Sequence, residues 1–258
     1  MNKLIVAAQL YTVKDLLKDK SEGEVRNVLK QIKDIGYDAV QISGIGPVTK
    51  ELALRYQTIC EALELEICAT HVGLSDLQED LDWIIEYHNM WKCHYVGIGS
   101  MPNGYKTKTG VIEFAKICNE LGAKLNKEGI HLVYHNHRFE FEKFGSKTMM
   151  DMLFDNFDNH VEFEIDTYWV QAGGMNPVEW IEKVDGRMGV VHFKDMRIKD
   201  DQQEFAEVGS GNLDWHQILE ACRKTAVIYA AVEQDAFYED AIESLKMSRD
   251  YIQNEFNL

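Results

Sequence analysis

The chain alternates eight times between a short run of β-forming residues and a longer segment with helical periodicity. Such alternation is typical of βα units, in which a helix leads from one parallel strand to the next. The pattern therefore predicts a parallel sheet covered by helices. The eight candidate strands are LIVAAQL (4–10), DAVQIS (38–43), LEICATH (65–71), HYVGIG (94–99), IHLVYHNH (130–137), VEFEID (161–166), MGVVHF (188–193) and VIYAAVE (227–233).

The segments between the strands carry apolar residues three and four positions apart, the spacing of one helix face. Examples are Val25, Val28, Leu29 and Ile32, then Leu77, Leu81, Ile84 and Ile85, then Ile242, Leu245 and Ile252. Eight βα units in 258 residues predict an α/β chain with one domain over residues 1–258, folded as a closed (β/α)8 TIM barrel. A doubly wound sheet is the alternative, but GIG (44–46), GIG (97–99) and GSG (209–211) each lack the third glycine of a dinucleotide fingerprint.

The charge balance restricts the partners of the chain. There are 43 acidic and 27 basic residues, a formal charge of −16, which would repel nucleic-acid phosphates, although a local basic cleft stays open. The start of the chain, MNKLIVAAQLYT, lacks the features of a signal peptide, and no apolar run has the length of a membrane span. We therefore expect a cytoplasmic protein without nucleic-acid or membrane partners, and self-association into a homo-oligomer stays open. The five cysteines, which lack CxxC spacing, are expected to be reduced thiols: Cys60, Cys68, Cys93, Cys118 and Cys222.

Polar residues mark the ends of the candidate strands, where a barrel carries its active groups. Because residues two apart on a strand share a face, His135 with His137, Glu164 with Asp166, and His192 with Lys194 are expected to point to the same side. These polar side chains would converge on one end of the barrel. The strand-end residues are Gln9 and Tyr11, Gln41, His71, His135 and His137, Asp166, His192 and Lys194, and Glu233.

Carboxylates and imidazoles that converge in a half-buried site repel one another unless a cation lies between them. A divalent ion with mixed oxygen and nitrogen ligands, Mn²⁺, Mg²⁺, Co²⁺ or Zn²⁺, meets that need. Each residue also has a purely structural interpretation. Asp166 could cap a helix, Lys194 could form an ion pair with Asp195 or Glu233, and His71, like His135 and His137, could be a hydrogen-bonded core histidine.

Several motifs together resemble the sugar phosphate isomerase/epimerase family, whose members have a xylose-isomerase-like TIM barrel. They run in order along the whole chain: QLYTVKDLL, YHNHRFEF, EIDTYWVQAGG, VVHFKD, GSGNLDW and VEQD. The resemblance implies one divalent ion with four ligands, which carry over to Glu140, Asp166, His192 and Glu233. Relatives often place the first glutamate in a Glu-Asn-His run at the end of strand five, whereas this chain has a histidine at position 135. Glu140 is therefore expected to reach back from the loop, with Glu142 or a histidine as alternatives.

The resemblance also implies an activity. Such a protein would isomerise or epimerise a small keto-sugar through a cis-enediolate intermediate, with Glu140 and Glu233 as base and acid and a carbohydrate as its small-molecule partner. His137 would relay protons and Lys194 would hold a substrate oxygen. The residues expected to bind substrate are Gln9, Tyr11, Gln41, His71, His135 and Trp169, although Trp169 and the glutamines could equally be packing residues.

Other functions fit the same barrel. A keto-inositol dehydratase or keto-glycoside lyase would share the proton abstraction. An apurinic endonuclease would need more histidine ligands and a basic face, which the charge of −16 argues against. A sugar-binding barrel without catalysis would not need the acidic and histidine residues at strands six to eight.

One connection is long for a compact domain. The segment from Lys194 to Leu213 is predicted to be either a lid over the site or a β-hairpin that packs against a partner subunit.

Overall fold

A computed structural model describes residues 4–225, 227–237 and 240–258 of the chain. Eight parallel strands form one sheet whose order follows the chain, so that β1 pairs with both β2 and β8. This confirms the predicted (β/α)8 barrel, and each candidate strand coincides with an observed one. The strands are β1 Ile5–Gln9, β2 Ala39–Ile42, β3 Glu66–His71, β4 Tyr95–Ile98, β5 His131–His135, β6 Val161–Glu164, β7 Val190–Phe193 and β8 Tyr229–Val232.

The barrel is nearly closed, and its seam lies between β6 and β7. There the ladder is reduced to an isolated parallel bridge between Asp166 and His192, in which the His192 amide donates to the Ile165 carbonyl at 2.9 Å. Two of the polar strand-end residues are thus held next to each other by backbone pairing, before any side-chain interaction is counted.

Helices cover the outer face of the barrel with the apolar sides that the sequence predicts. Val25, Leu29 and Ile32 are buried on α2, which begins at a capping box between Ser21 and Glu24. The apolar residues over 77–85 do not belong to one helix, because one helix ends at Glu79 and the next begins at Leu81, after Asp80. The helices are α1 Lys14–Leu17, α2 Glu22–Ile35, α3 Lys50–Leu63, α4 Leu74–Glu79, α5 Leu81–Trp91, α6 Lys108–Asn126, α7 Met149–Asn156, α8 Thr167–Ala172, α9 Pro177–Lys183, α10 Trp215–Lys224 and α11 Ala241–Phe256.

The inside of the barrel is filled by a separate layer of mostly small apolar side chains. Six of them lie two residues before a polar strand-end residue and therefore share its inward direction. The polar end of the barrel rests directly on this dry layer. The pairs are Ala7 and Gln9, Ala39 and Gln41, Ala69 and His71, Val133 and His135, Val190 and His192, and Ala231 and Glu233.

The long connection after β7 is a hairpin of Asp195–Lys199 and Gln202–Ala206. It packs on α8 of its own chain, where the Phe205 ring stacks on Tyr168 with centroids 4.3 Å apart. The buried Asp195 carboxylate holds the return of the loop by accepting hydrogen bonds from the amides of Gly209 and Gly211 and from the Trp215 indole, the last at 2.6 Å. The hairpin therefore forms a wall beside the barrel end.

The five cysteines are free and buried. Within the described part of the chain, no helix combines the length and the apolar character needed to cross a membrane.

His88 on α5 makes the stability of this fold depend on pH. Its ring is fully buried, with Nδ1 2.8 Å from the Ile84 carbonyl and Nε2 2.9 Å from the Thr70 hydroxyl. Burial lowers the pKa of His88 from 6.5 to about 4. Between pH 6.5 and pH 4 the unfolded chain therefore binds a proton at His88 that the folded chain does not bind. The stability contributed by His88 is lost as pH falls through this range, by roughly 2 kcal/mol at pH 5.

Urea unfolding at pH 7 and pH 5 tests this expectation. The free energy of unfolding of His88→Gln should fall by about 2 kcal/mol less than that of the parent, since all other groups titrate in both proteins. An equal fall in the two proteins would contradict the assignment.

Candidate active site

A cavity of about 490 Å³ opens at the carboxyl ends of the barrel strands, which we call the mouth. Several predicted substrate-binding or catalytic residues line it, while Gln9, Gln41, Asp166 and His192 lie buried beneath its floor. The volume is in the range of small-molecule sites. The lining side chains with polar groups are Tyr11, Ser43, His71, Ser100, His135, His137, Trp169, Lys194, Glu233 and Asp235.

Four side chains on neighbouring strands form what we call the mouth group: His135, Asp166, His192 and Glu233. One nitrogen or oxygen atom from each lies within 4.8 Å of the others, and all four residues are buried. Asp166 Oδ2 is 3.3 Å from His135 Nε2, and Glu233 Oε2 is 3.1 Å from His192 Nδ1. Two imidazoles and two carboxylates at this spacing can hold one divalent ion.

The protonation of His135 supports that reading. Its Nδ1 lies 3.1 Å from the Gly99 carbonyl, which can only accept, so Nδ1 carries the hydrogen. Burial lowers the pKa of His135 well below its ordinary value, so the ring is neutral. Its Nε2 lone pair then faces Asp166 Oδ2, and two acceptors oppose each other. A proton or a cation must lie between them, and a divalent ion fits this need.

Opposing effects act on the other members of the mouth group. Burial would lower the pKa of His192, but the carboxylates of Glu164 and Glu233 raise it to about 10. Burial raises the pKa of Asp166 to about 6. Burial would also raise the pKa of Glu233, but Lys194 and His192 hold it well below its usual range. A carboxyl group of the mouth group therefore stays ionised only where a positive charge lies close to it.

Lys194 supplies such a charge. Its ammonium is buried, lies 3.1 Å from Glu233 Oε2 and 3.8 Å from Asp166 Oδ2, and donates to Asp235 Oδ2 at 2.5 Å. Burial would lower the pKa of Lys194, but these carboxylates raise it, so the side chain stays cationic. The structural interpretations made from the sequence also hold: Lys194 forms an ion pair with Glu233, and Asp166 Oδ1 caps α8 at the Trp169 amide, 2.8 Å away.

The structure does not bring Glu140 to the mouth group. The Glu140 carboxylate is fully buried, accepts from the Tyr134 hydroxyl at 2.6 Å and from the His137 amide at 2.9 Å, and does not line the cavity. Tyr134 alternates with His135 on β5 and packs outward against Phe114 of α6. Because the Glu140 carboxylate accepts from Tyr134, it also lies toward the helix layer, where burial raises the pKa of Glu140 to about 7. Of the alternatives, Glu142 is exposed, and His135 occupies the fourth position.

Gln9 Nε2, beneath the cavity floor, has no hydrogen-bond partner among the described residues, and neither have two buried nitrogen atoms of residues that line the cavity. They are His137 Nδ1 and Trp169 Nε1, on rings whose centroids lie 5.3 Å apart. His137 follows the end of β5 rather than lying on it, and burial lowers its pKa to about 3, so the ring is neutral. Unsatisfied buried polar groups are costly, so these atoms are candidates for contact with a ligand.

Two acidic residues of the site received no role from the sequence. Glu164 contacts His71 and Gln41, and Asp235 binds Lys194. Each lies two residues from an assigned ligand, Asp166 or Glu233, so the period of two along VEFEID and VEQD was the available signal.

Comparisons with known proteins agree with this architecture. The family model described as xylose isomerase-like TIM barrel matches residues 29–250. A sugar phosphate isomerase/epimerase from Parabacteroides distasonis superposes with a TM-score of 0.80 at 22% identity, covering 99% of this chain and 96% of that one.

Two further solved structures are similar in fold. A xylose isomerase-like TIM barrel protein from Mycobacterium smegmatis, in complex with magnesium, has a TM-score of 0.76 at 14% identity and covers 98% and 96% of the two chains. A probable 3-DHS dehydratase from Bacillus anthracis has a TM-score of 0.73 at 12% identity and covers 98% and 100%. Among curated proteins, none matches the sequence significantly.

The position of Glu140 yields a test. Removal of the His135 imidazole should weaken Zn²⁺ binding at least tenfold, because it deletes one of four donors. Glu140→Ala should leave Zn²⁺ affinity within about twofold but lower the free energy of unfolding by about 1–3 kcal/mol, because Tyr134 loses its buried acceptor.

Isothermal titration with Zn²⁺ and urea unfolding of His135→Ala and Glu140→Ala measure both effects. Loss of Zn²⁺ binding in Glu140→Ala, with binding retained in His135→Ala, would reverse the assignment.

Proposed function

This chain belongs to the xylose isomerase-like TIM barrel family, and we propose that within it the protein is a divalent-metal-dependent isomerase or epimerase of a small keto-sugar. The observation that carries the proposal is the mouth group, above all the two acceptors of His135 and Asp166 that face each other at 3.3 Å. A divalent ion held there, Mn²⁺, Mg²⁺, Co²⁺ or Zn²⁺, would act as a Lewis acid on a substrate carbonyl.

The lining of the cavity suits a small polyhydroxylated substrate. Trp169 Nε1 has a hydrogen to donate to a hydroxyl oxygen, and Tyr11, Ser43 and Ser100 offer further polar contacts around the opening. The Trp169 ring can also cover an apolar sugar face. A volume of about 490 Å³ accommodates a monosaccharide.

Glu233 is the group best placed to remove a proton. It lines the cavity at the end of β8 and is held ionised, and its partner Lys194 lies at the same wall. We assign to Glu233 the abstraction of the proton next to the substrate carbonyl. Lys194 would stabilise the oxygen on which charge grows as the enediolate forms.

A second proton-transfer group is needed for return of the proton. Since Glu140 lies outside the cavity, we assign this relay to His137, whose ring lines the cavity from the β5 side. His137 would pass a proton from solvent to the enediolate, and Glu233 would release the proton that it took to solvent. Return to the opposite face of the same carbon gives an epimer, and return to the neighbouring carbon gives the isomeric aldose.

Elimination is the second candidate reaction. Lys194 and Asp235 line the cavity side by side, and burial raises the pKa of the Asp235 carboxyl group. This pair could assist a leaving hydroxyl. The same first step at Glu233 would then lead to a dehydratase or lyase product. The product formed distinguishes the two reactions.

Deuterium exchange tests the proposal. A panel of ketoses with the Mn²⁺-loaded protein in D₂O should yield one substrate that gains deuterium at the carbon next to the carbonyl. Glu233→Gln should slow this exchange by about 10²–10⁴-fold. Glu162→Gln, a control at the opposite end of the barrel, should exchange at the parental rate.

Each other outcome has a definite meaning. Deuterium-containing epimer or aldose supports the proposal, whereas a dehydrated product replaces it with the elimination. Sugar binding that survives chelation, without exchange of any ketose, would overturn it in favour of a non-catalytic sugar-binding barrel.

A further inference from the structure

Glu164 is a fully buried carboxylate beneath the mouth group, at the end of β6. Neither the proposed proton transfer nor the four-donor set uses it. Its Oε2 lies 2.5 Å from His71 Nε2, and its Oε1 lies 2.8 Å from Gln41 Nε2 and 3.3 Å from His192 Nε2. One buried anion thus contacts three strands, β2, β3 and β7.

The direction of each hydrogen bond follows from the chemistry of the carboxylate. An ionised carboxylate only accepts, so the amide nitrogen of Gln41 must face Glu164 and the amide oxygen must face the other way. That oxygen lies 2.8 Å from His192 Nε2 and also only accepts. His192 Nε2 therefore carries a hydrogen, whatever occupies the other ring nitrogen.

The consequence appears at the opposite side of the His192 ring. Nδ1 is directed to the interior of the mouth group, 3.1 Å from Glu233 and 3.9 Å from Asp166. With the hydrogen fixed on Nε2, the neutral ring presents the Nδ1 lone pair to a cation in that space. In His135 the Gly99 carbonyl fixes the hydrogen on Nδ1, which leaves the Nε2 lone pair directed to the mouth group.

His71 is held by the same anion. Its Nε2 donates to Glu164, so a lone pair of the His71 ring can lie only on Nδ1, and His71 lines the cavity. A substrate hydroxyl that donates a hydrogen is the group that Nδ1 can accept.

We propose that Glu164 is the positioning residue of the site: through Gln41 it fixes the tautomer of His192 for metal binding, and directly it fixes His71 as an acceptor for a substrate hydroxyl. The first part deepens the proposed function, since it concerns the same ion. Outer hydrogen bonds of this kind typically change metal affinity by about 10–100-fold.

The same atoms permit one competing role. His71, Glu164 and His192 also offer three donor atoms within 4.8 Å, enough to hold a second ion. The hydrogen bonds favour positioning, because Gln41 and His71 already satisfy both oxygens of Glu164. Stoichiometry separates the two roles.

The experiment is titration of the metal-free full chain with Zn²⁺ alone. The parent should bind one ion per chain. Gln41→Met, which removes the link without changing charge, and Glu164→Gln should each still bind one ion, about 10–100-fold more weakly. Glu162→Gln is the matched control, because Glu162 lies two residues earlier on the same strand, bonded to His131 at the other end of the barrel. Its affinity should equal that of the parent.

Two ions in the parent and one in Glu164→Gln would overturn the proposal, because Glu164 would then be a ligand. Equal affinity in the parent and in Gln41→Met would also overturn it. Thermal unfolding of each variant without metal shows whether it is folded when titrated.

A spectroscopic measurement reports on the tautomer directly. In ¹⁵N spectra of histidine-labelled, Zn²⁺-loaded protein, the ring of His192 should show a protonated Nε2 and a hydrogen-free Nδ1. The Nε2 resonance should shift in Gln41→Met, because its hydrogen loses the Gln41 acceptor. A hydrogen on Nδ1 in the parent would contradict the proposal.

The two proposals can fail separately. If the parent binds no ion, the proposed function fails, while the ¹⁵N shift of His192 Nε2 in the metal-free protein still shows whether the hydrogen bond to Gln41 is lost in Gln41→Met. If the parent binds one ion and Gln41→Met binds it equally well, only the positioning role fails.

Discussion

The active site depends on the layer of small apolar side chains that fills the barrel beneath it. Alanines face inward on β1, β2, β3 and β8, and the next inward residue on each strand is polar. Water is excluded below, helices exclude it outside, and the cavity is the opening on one side. The polar side chains therefore satisfy one another, as Glu164 does with Gln41 and His71, and as Glu233 does with His192 and Lys194.

Electrostatic balance is the second consequence. Glu164, Asp166, Glu233 and Asp235 are four carboxylates close together, and Lys194 is the buried ammonium among them. Burial of this much negative charge is unfavourable unless cations or protons compensate it. The raised pKa of Asp166 and the raised pKa of His192 both express this need for positive charge. A divalent ion would replace those protons, which makes metal binding and the proton pattern of the site two aspects of one balance.

The sequence predicted the barrel well because its information is local and repeated. Strand runs, helical spacing and polar strand ends each follow from a period of 2 or 3.6 residues. The break of the helix at Asp80 was not predicted, since the apolar spacing continues across it. The position of the Glu140 side chain could not be predicted either. It depends on the short 3-10 helix Phe139–Phe141, which directs the side chain to Tyr134 and away from the mouth. Loop geometry of that kind leaves no periodic signal, and neither does a network such as that of Glu164, whose partners are 93 and 123 residues away along the chain.

The proposed function rests on one divalent ion held between His135, Asp166, His192 and Glu233. The most direct test is a crystal structure of the protein soaked in Mn²⁺, with anomalous diffraction recorded to locate the metal. The account predicts one anomalous peak per chain, about 2.0–2.3 Å from a donor atom of each of these four residues. A peak coordinated by Glu140, a peak between His71 and Glu164, or no peak at the mouth would contradict it.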